Sequence, residues 1–163
     1  MKKVTKPINE MKISFPSRSA NEAFARTAVA SFIAQLDPGV DEMADIRTAV
    51  SEAVTNCIVH AYPDTIGTIN IAVRLFQSGR TVIKIRDCGC GIENIEQAME
   101  PLFTTGGEER SGLGFSVMES FCDRLRVLSV RGRGTTVTLE KYIKLRQSAS
   151  KKSISSNAGE GLE

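Results

Sequence analysis

The chain lacks a strong charge of either sign and any long apolar run. Its 21 basic and 19 acidic residues leave a formal net charge of +2 at pH 7, which is too small to favour nucleic acid or a membrane surface as a partner. No apolar run approaches the length of a membrane span, and the N-terminal sequence MKKVTKPINE contains no apolar export segment. We therefore expect a cytoplasmic protein that binds neither nucleic acid nor membrane directly.

The four cysteines lack the spacing of a metal site. Cys88 and Cys90 form C-G-C instead of C-x-x-C, and no second pair or nearby histidine completes a ligand set. Cys57 and Cys122 lie among apolar residues at helical spacing, where a thiol fills space in a core. The pattern predicts reduced thiols, in keeping with the expected compartment.

The 163 residues are most simply one domain, with 41% hydrophobic and 25% charged residues, as is ordinary for a globular chain. We predict a flexible N-terminal arm over residues 1–10 and a folded domain over residues 11–146. The Ser-, Lys- and Gly-rich residues 147–163 show no periodicity and predict a disordered tail.

The longest amphipathic pattern runs over residues 41–61 and predicts a helix. Its apolar residues gather on one stripe at about 100° per residue: Ile46, Val50, Ala53, Cys57 and Ala61. Glu52 and Asn56 stand one turn apart on the edge of that stripe. Either both are solvated, or they lie at the margin of the core, where they need partners because burying them unpaired is costly.

A second helix is predicted from about residue 20 to Leu36. Ser19 and Glu22 have the S-x-x-E spacing of a capping box. The apolar stripe of this helix is assigned to Phe24, Ala28, Phe32 and Leu36. That assignment leaves Glu22 and Arg26 as an exposed i, i+4 ion pair.

Alternating apolar residues predict two strands, over residues 68–77 and 81–87. Asp87 ends the second strand on the same inward parity as Ile83 and Ile85, so it either caps the next loop or contacts a ligand. The turn that follows reads D-x-G-x-G through Gly91, which is weak evidence alone because Asp and Gly are common in turns.

The segment over residues 100–110 is polar and has glycine hinges, which is typical of a lid. The sequence S-G-L-G that follows opens a predicted helix over residues 115–121, where free backbone N–H groups favour an anion. Alternatively, it is a plain loop before a helix. Two strands, over residues 125–130 and 135–145, form a last hairpin, with Thr135 on the inward parity beside the turn.

The four segments E-x-x-x-N, D-x-G-x-G, G-x-G and G-T-T occur in a fixed order that resembles the ATP-binding superfamily of gyrase, Hsp90, histidine kinases and MutL. Within it, the phrases EAVTNCIVHAYP, DCGCGIENIEQAMEPLFTT and ERSGLGFSVMESF are similar to the anti-sigma F factors of spore-forming bacteria, a family of serine-protein kinases. The resemblance covers roughly residues 10–145. One departure is the pair Gly106–Gly107, where a bulkier or Pro-containing lid is expected.

The resemblance implies an α+β fold, a two-layer α/β sandwich called the Bergerat ATP-binding fold, with helices on one face of a mixed, mostly antiparallel sheet. It implies ATP and Mg²⁺ as cofactors, Asn56 as a metal ligand, Glu52 as catalytic base and Asp87 as the acceptor for the adenine amino group. Further nucleotide contacts are implied at Gly89, Gly91, Thr104, Thr105, Gly106, Arg110, Ser111, Gly112, Leu113, Gly114 and Thr135.

The same resemblance implies a homodimer that binds a sigma factor and phosphorylates an anti-anti-sigma protein on serine, with Glu22 and Arg26 in partner contacts. Two alternatives remain open: a general-stress, sigma B-type kinase, and a nucleotide-dependent binding module without phosphotransfer. The single histidine, His60, lies inside the nucleotide-binding helix, which argues against a complete sensor histidine kinase. The chain is also expected to be too short for the transducer domain of a gyrase or MutL ATPase.

Overall fold

The computed structural model describes residues 5–101 and 114–146, which form a five-stranded sheet with helices packed on one side. The strands are β1 (Asn9–Pro16), β2 (Thr68–Leu75), β3 (Arg80–Asp87), β4 (Arg124–Val130) and β5 (Gly134–Tyr142). The helices are α1 (Ala20–Ile33), α2 (Val40–Asn56), α3 (Ile95–Met99) and α4 (Gly114–Phe121). This arrangement confirms the predicted α+β sandwich.

The strands lie in the order β1-β2-β3-β5-β4, and all four pairings are antiparallel. The mixed component expected of the sheet is therefore absent from the described residues. The reason is topological: β3 and β4 run in the same direction, but β5 returns by a hairpin and inserts between them. One face of the sheet packs on the helices and the other meets water, as antiparallel sheets permit.

Helix α2 is the central element of the helical layer. A π-helical turn, Cys57–Ala61, continues it, so the two together cover the helix predicted over residues 41–61. The predicted stripe is buried, with Val54 and Ala49 added to it. The π-turn leaves the Ala61 carbonyl free to accept from Cys90 N–H at 3.1 Å, which joins the end of this helix to the turn after β3.

Helix α1 buries a different stripe from the one predicted. Of the predicted stripe, Leu36 is buried, just beyond the helix, but Phe24 is 51% exposed. The buried residues within the helix are Ala25, Val29, Ala30 and Ile33. The reason is steric. Ala25 of α1 and Ala49 and Ala53 of α2 are all fully buried, and α1 packs on α2. Small side chains let the two helices approach closely. The Phe24 ring packs edge-on against Phe15 instead.

The predicted capping box at Ser19 is also absent, because its side chain makes no capping bond. The Glu22 carboxylate accepts a hydrogen bond from Ser51 on α2. A capping interaction is present at α2, where Glu42 Oε2 accepts from Gly39 N–H at 2.8 Å.

No helix in the described part of the chain is long and apolar enough to cross a membrane.

Candidate functional site

A cavity of about 770 Å³ opens between the C-terminal half of α2, the end of β3, the start of β5, and helices α3 and α4. Six of the predicted site residues line it: Glu52, Asn56, Asp87, Gly91, Gly114 and Thr135. They come from separate segments of the chain, so the fold, and not their sequence spacing, brings them together. Apolar walls contributed by residues such as Ile92 and Val137 suit a flat aromatic ligand.

Seven predicted nucleotide contacts lie outside the described residues: Thr104, Thr105, Gly106, Arg110, Ser111, Gly112 and Leu113. Gly89 is described but is not among the residues that line the cavity. A Cβ on Gly89 would lie 2.2 Å from the Ala61 carbonyl oxygen, so glycine is required there for the turn to pack against the end of α2. Gly91 has φ +73°, a conformation that favours glycine.

Asp87 is 3% exposed and projects into the cavity from the end of β3. One carboxylate oxygen, Oδ1, accepts from Gly89 N–H at 2.9 Å and from Thr135 N–H at 3.1 Å. The other carboxylate oxygen, Oδ2, accepts a hydrogen bond from the Cys57 thiol, with Sγ at 3.6 Å. Asp87 therefore caps its own turn, as one of the two sequence-based alternatives states, and its Oδ2 retains acceptor capacity for a ligand.

Cys57 was interpreted as core filling, and it is buried at 4% exposure. It also lines the cavity and is hydrogen-bonded to Asp87. Burial and then the charge of Asp87 raise the pKa of this thiol well above its ordinary value, so it stays protonated and can donate. Adjacent positions on a helix point about 100° apart, so the sequence alone did not indicate that Cys57 faces the same site as Asn56.

Ser129 of β4 is a site residue that the sequence interpretation missed. Its Oγ accepts from Ile92 N–H at 2.7 Å and lies 3.1 Å from the Gly134 carbonyl and 2.8 Å from Thr135 Oγ1. It thus connects the turn after β3 to the β4–β5 hairpin. The available signal was parity, because Ser129 continues the inward series of Leu125 and Val127 in place of an apolar residue.

Glu52 and Asn56 lie side by side on α2, as predicted. A Cβ on Gly114, the first residue of α4, would stand 3.2 Å from Glu52 Oε2 and 3.3 Å from Asn56 Oδ1. Partial burial, and secondly the negative charge of Glu22, raise the pKa of the Glu52 carboxyl. A carboxylate with a raised pKa is a stronger base once deprotonated, and the neutral oxygen beside it suits a hard cation.

Glu22 and Arg26 are not the solvent-facing pair that was predicted. Their side chains are 22% and 37% exposed, and Arg26 Nη1 lies 3.6 Å from the Glu22 carboxylate. The Ser51 hydroxyl of α2 donates a hydrogen bond to the Glu22 carboxylate and accepts one from Arg26 Nη1 at 3.4 Å. The pair therefore joins α1 to α2 at Ser51, the residue before Glu52. The Arg26 Nε is buried and has no hydrogen-bond partner among the described residues. Because α1 buries the stripe through Ala25 and not the one through Phe24, the pair lies in the interface between α1 and α2.

His60 lies on the cavity wall. The opposite wall includes Asn94 and Gln97 at the start of α3, where the Asn94 side chain caps the helix by accepting from Gln97 N–H at 3.0 Å. Within residues 5–101 and 114–146, no cluster of three or more His, Cys, Asp or Glu side chains could hold a metal ion. Any cation in the cavity would therefore depend on ligands such as the Asn56 oxygen and on the bound ligand itself.

Comparison with known proteins matches residues 15–141 to the histidine kinase-like ATPase domain. An anti-sigma F factor of Thermoanaerobacter sp. (strain X514) is 57% identical over 137 residues, which cover 83% of this chain and 94% of the relative. Anti-sigma F factors of Clostridium beijerinckii and Geobacillus kaustophilus are 54% and 52% identical, over 82% and 83% of this chain.

Among solved structures, the RsbU and RsbW domains of Rv1364c from Mycobacterium tuberculosis share the fold, with a TM-score of 0.62 and 21% identity over 84% of this chain. The match spans only 33% of that longer protein. The mycobacterial sensor histidine kinase MprB matches over 85% of this chain with a TM-score of 0.53 and 15% identity. The ATPase-domain match, and the extent and identity of the curated relatives, show that this chain belongs to the anti-sigma F factor family of histidine kinase-like ATPase domains.

Proposed function

We propose that the protein is an anti-sigma factor and protein kinase that binds a sporulation sigma factor and uses ATP to phosphorylate an anti-anti-sigma protein on serine. The observation that carries the proposal is the convergence of Asp87, Asn56 and Glu52 on one cavity of about 770 Å³, in a chain of this family. The three side chains suit, respectively, a purine amino group, a phosphate-bound cation and a hydroxyl proton.

Asp87 binds the base in this proposal. Its Oδ2 accepts a hydrogen bond from the adenine amino group, while two backbone N–H groups hold Oδ1 in place. Asn56 would hold Mg²⁺ through its neutral amide oxygen, and the cation would offset the negative charge of the phosphates. Gly114 lies against both Asn56 and Glu52, so in this proposal the start of α4 borders the phosphate end of the cavity. The nucleotide contacts predicted outside the described residues remain part of the proposal.

Glu52 acts as the general base. It takes the proton from the substrate serine hydroxyl as the serine oxygen forms a bond to the γ-phosphorus, and the bond from that phosphorus to the bridging oxygen of ADP breaks. Its raised pKa gives it the proton affinity for this step. A binding module without phosphotransfer would not need a carboxylate at this position, which favours the kinase over that alternative.

The partner surface in the proposal includes Glu22 and Arg26, at the junction of α1 and α2. The Arg26 side chain is 37% exposed, and the planar guanidinium of arginine pairs well with partner carboxylates. If the sigma factor and the anti-anti-sigma protein both use Arg26, their binding is mutually exclusive. We further propose that the protein acts as a homodimer in the cytoplasm.

The test is incubation of the purified protein with γ-labelled ATP, Mg²⁺ and its cognate anti-anti-sigma protein, followed by phosphoamino-acid analysis. Labelled phosphoserine on the substrate protein is expected. Binding of ATP without any transfer would favour the binding module. Transfer to an antagonist of a general-stress sigma factor, and not to a sporulation antagonist, would favour the sigma B-type alternative.

A further inference from the structure

The hydrogen bonds around Ser129 use all of its hydroxyl's capacity. A serine hydroxyl has one hydrogen to donate and two lone pairs to accept with. The N–H of Ile92 can only donate, and it fills one lone pair at 2.7 Å. The carbonyl of Gly134 can only accept, and it takes the single hydrogen at 3.1 Å. One lone pair is left for Thr135 Oγ1 at 2.8 Å.

These constraints favour one direction for the bond between the two hydroxyls. When the Ser129 hydrogen goes to the Gly134 carbonyl, Thr135 is the donor to Ser129, and all three contacts of Ser129 are satisfied at once. The opposite direction would remove the Gly134 carbonyl's hydroxyl donor and leave the Thr135 hydrogen to find another partner. In the fully satisfied arrangement, the Thr135 hydroxyl has already donated its hydrogen and can only accept from a ligand.

Asp87 is restricted in the same sense. Its Oδ1 accepts from two backbone N–H groups, one of them that of Thr135, and its Oδ2 retains acceptor capacity beside the Cys57 thiol. Thr135 is 9% exposed and lines the same cavity. Asp87 and Thr135 thus both offer acceptors to a purine, and the neighbouring Cys57 thiol directs its hydrogen to Asp87 Oδ2.

We propose that Ser129 is a positioning residue that makes this end of the cavity an acceptor-only surface, and that it thereby selects 6-aminopurine over 6-oxopurine nucleotides. The proposal rests on the ATP binding of the proposed function. A 6-amino group donates to such a surface. A 6-oxo group brings a further acceptor against it, which leaves buried acceptors unpaired and costs binding free energy.

If Ser129 had only a structural role, its removal would change the nucleotide affinities in a different way. Ser129 also holds Ile92, which lines the cavity, so its loss could loosen the site for every nucleotide. That effect would lower the affinities for ATP and ITP by the same factor. The polarity effect instead changes their ratio, because without Ser129 the Thr135 hydroxyl can rotate and donate to a 6-oxo group.

The experiment is calorimetric titration of the full chain with ATP and with ITP, which differ at position 6 and in the proton on N1. Wild-type protein is expected to prefer ATP, and Ser129→Ala is expected to reduce that preference by about three- to tenfold, the size of one hydrogen bond. Ser129→Thr keeps the hydroxyl and should preserve the preference within about twofold. Should Ser129→Ala fail to fold, Ser129→Cys, a much weaker acceptor, replaces it.

A second background isolates the hydroxyl of Thr135. On Thr135→Val, which has no hydroxyl to orient, Ser129→Ala should leave the ATP-to-ITP ratio unchanged. The proposal is overturned if Ser129→Ala alone lowers both affinities in parallel, or changes the ratio equally on the Thr135→Val background. If wild-type protein binds neither ATP nor ITP, both the proposed function and the role of Ser129 are overturned. If ATP binds but Ser129→Ala leaves the ATP-to-ITP affinity ratio unchanged, only the role of Ser129 is overturned.

Discussion

At the Asp87 end of the cavity the polar side chains are joined by hydrogen bonds, whereas at the Glu52 end they are not. Asp87, Ser129 and Thr135 share bonds that connect β3, β4, β5 and the turn after β3. Glu52 and Asn56 make no side-chain hydrogen bond among the described residues, and their oxygens lie beside Gly114. In the proposed function, the base end is therefore preorganised, and the polar groups of the phosphate end find their partners in the ligand.

The largest effect is expected from Asn56→Ala. If Asn56 provides the protein ligand to Mg²⁺, removing its oxygen should abolish binding of Mg·ATP with little change in fold, because this side chain has no hydrogen bond among the described residues to lose. Calorimetry with Mg·ATP measures the binding, and thermal unfolding checks the fold. An affinity within threefold of the wild-type value would contradict the metal role.

Glu52→Gln should separate chemistry from binding. Glutamine keeps the size of the side chain but cannot accept the serine proton, so phosphotransfer should fall by about 10²–10⁴ while ATP still binds. Single-turnover transfer of label to the substrate protein measures the first effect, and calorimetry the second. Transfer near the wild-type rate would show that another group is the base.

Asp87→Asn tests the preorganised end. The amide keeps one acceptor oxygen but loses the charge-assisted bond to the adenine amino group, so the preference for ATP over GTP should fall by at least about tenfold. Competition of the two nucleotides for the mutant measures the ratio. A preference as strong as that of the wild type would remove Asp87 from base recognition.

Arg26→Ala should act on partners and not on the nucleotide. Loss of the guanidinium is expected to weaken binding of both the sigma factor and the anti-anti-sigma protein by about 1–2 kcal/mol, with ATP affinity unchanged. The matched control is Arg74→Ala, because Arg74 also pairs with a glutamate but lies on the sheet, at β2. Equal effects of the two variants would leave Arg26 only its contact between α1 and α2, with no role in partner binding.

Glu22→Gln should have the smallest effect, a change in pH dependence. The pKa of Glu52 is raised by burial first and by the charge of Glu22 second. The base works deprotonated, so the acidic limb of the phosphotransfer profile lies above the ordinary glutamate range. Neutralising Glu22 lowers the pKa of Glu52 and moves that limb to lower pH, as a pH–rate profile would show. A limb that stays in place or moves upward would contradict this coupling.

The parts of the site that follow from backbone periodicity were predictable from the sequence. Asp87 on the inward parity of β3, and Glu52 and Asn56 at i, i+4 on α2, each needed only the period of their own element. Of the two alternatives offered for Asp87, the cap of the next loop is confirmed, and the ligand contact stays a prediction. The family resemblance then supplied their roles, which periodicity alone could not.

The parts that depend on contacts between elements were not predictable in the same way. Helix α1 carries two apolar stripes, one through Phe24 and one through Ala25, and periodicity cannot choose between them. The structure chooses the stripe with small residues because it packs closely on α2, and this choice moves Arg26 into the interface. Ser129 was missed because its three partners lie on other segments of the chain.

The difference between the two ends of the cavity can be tested most directly with adenosine, which has the base but no phosphates. NMR titration of wild-type protein, Asn56→Ala and Asp87→Asn measures weak affinities on one scale. We predict that adenosine binds Asn56→Ala as it binds the wild type, within about twofold, and binds Asp87→Asn at least about tenfold more weakly. Equal losses in the two variants would contradict a base end that is formed independently of the phosphate end.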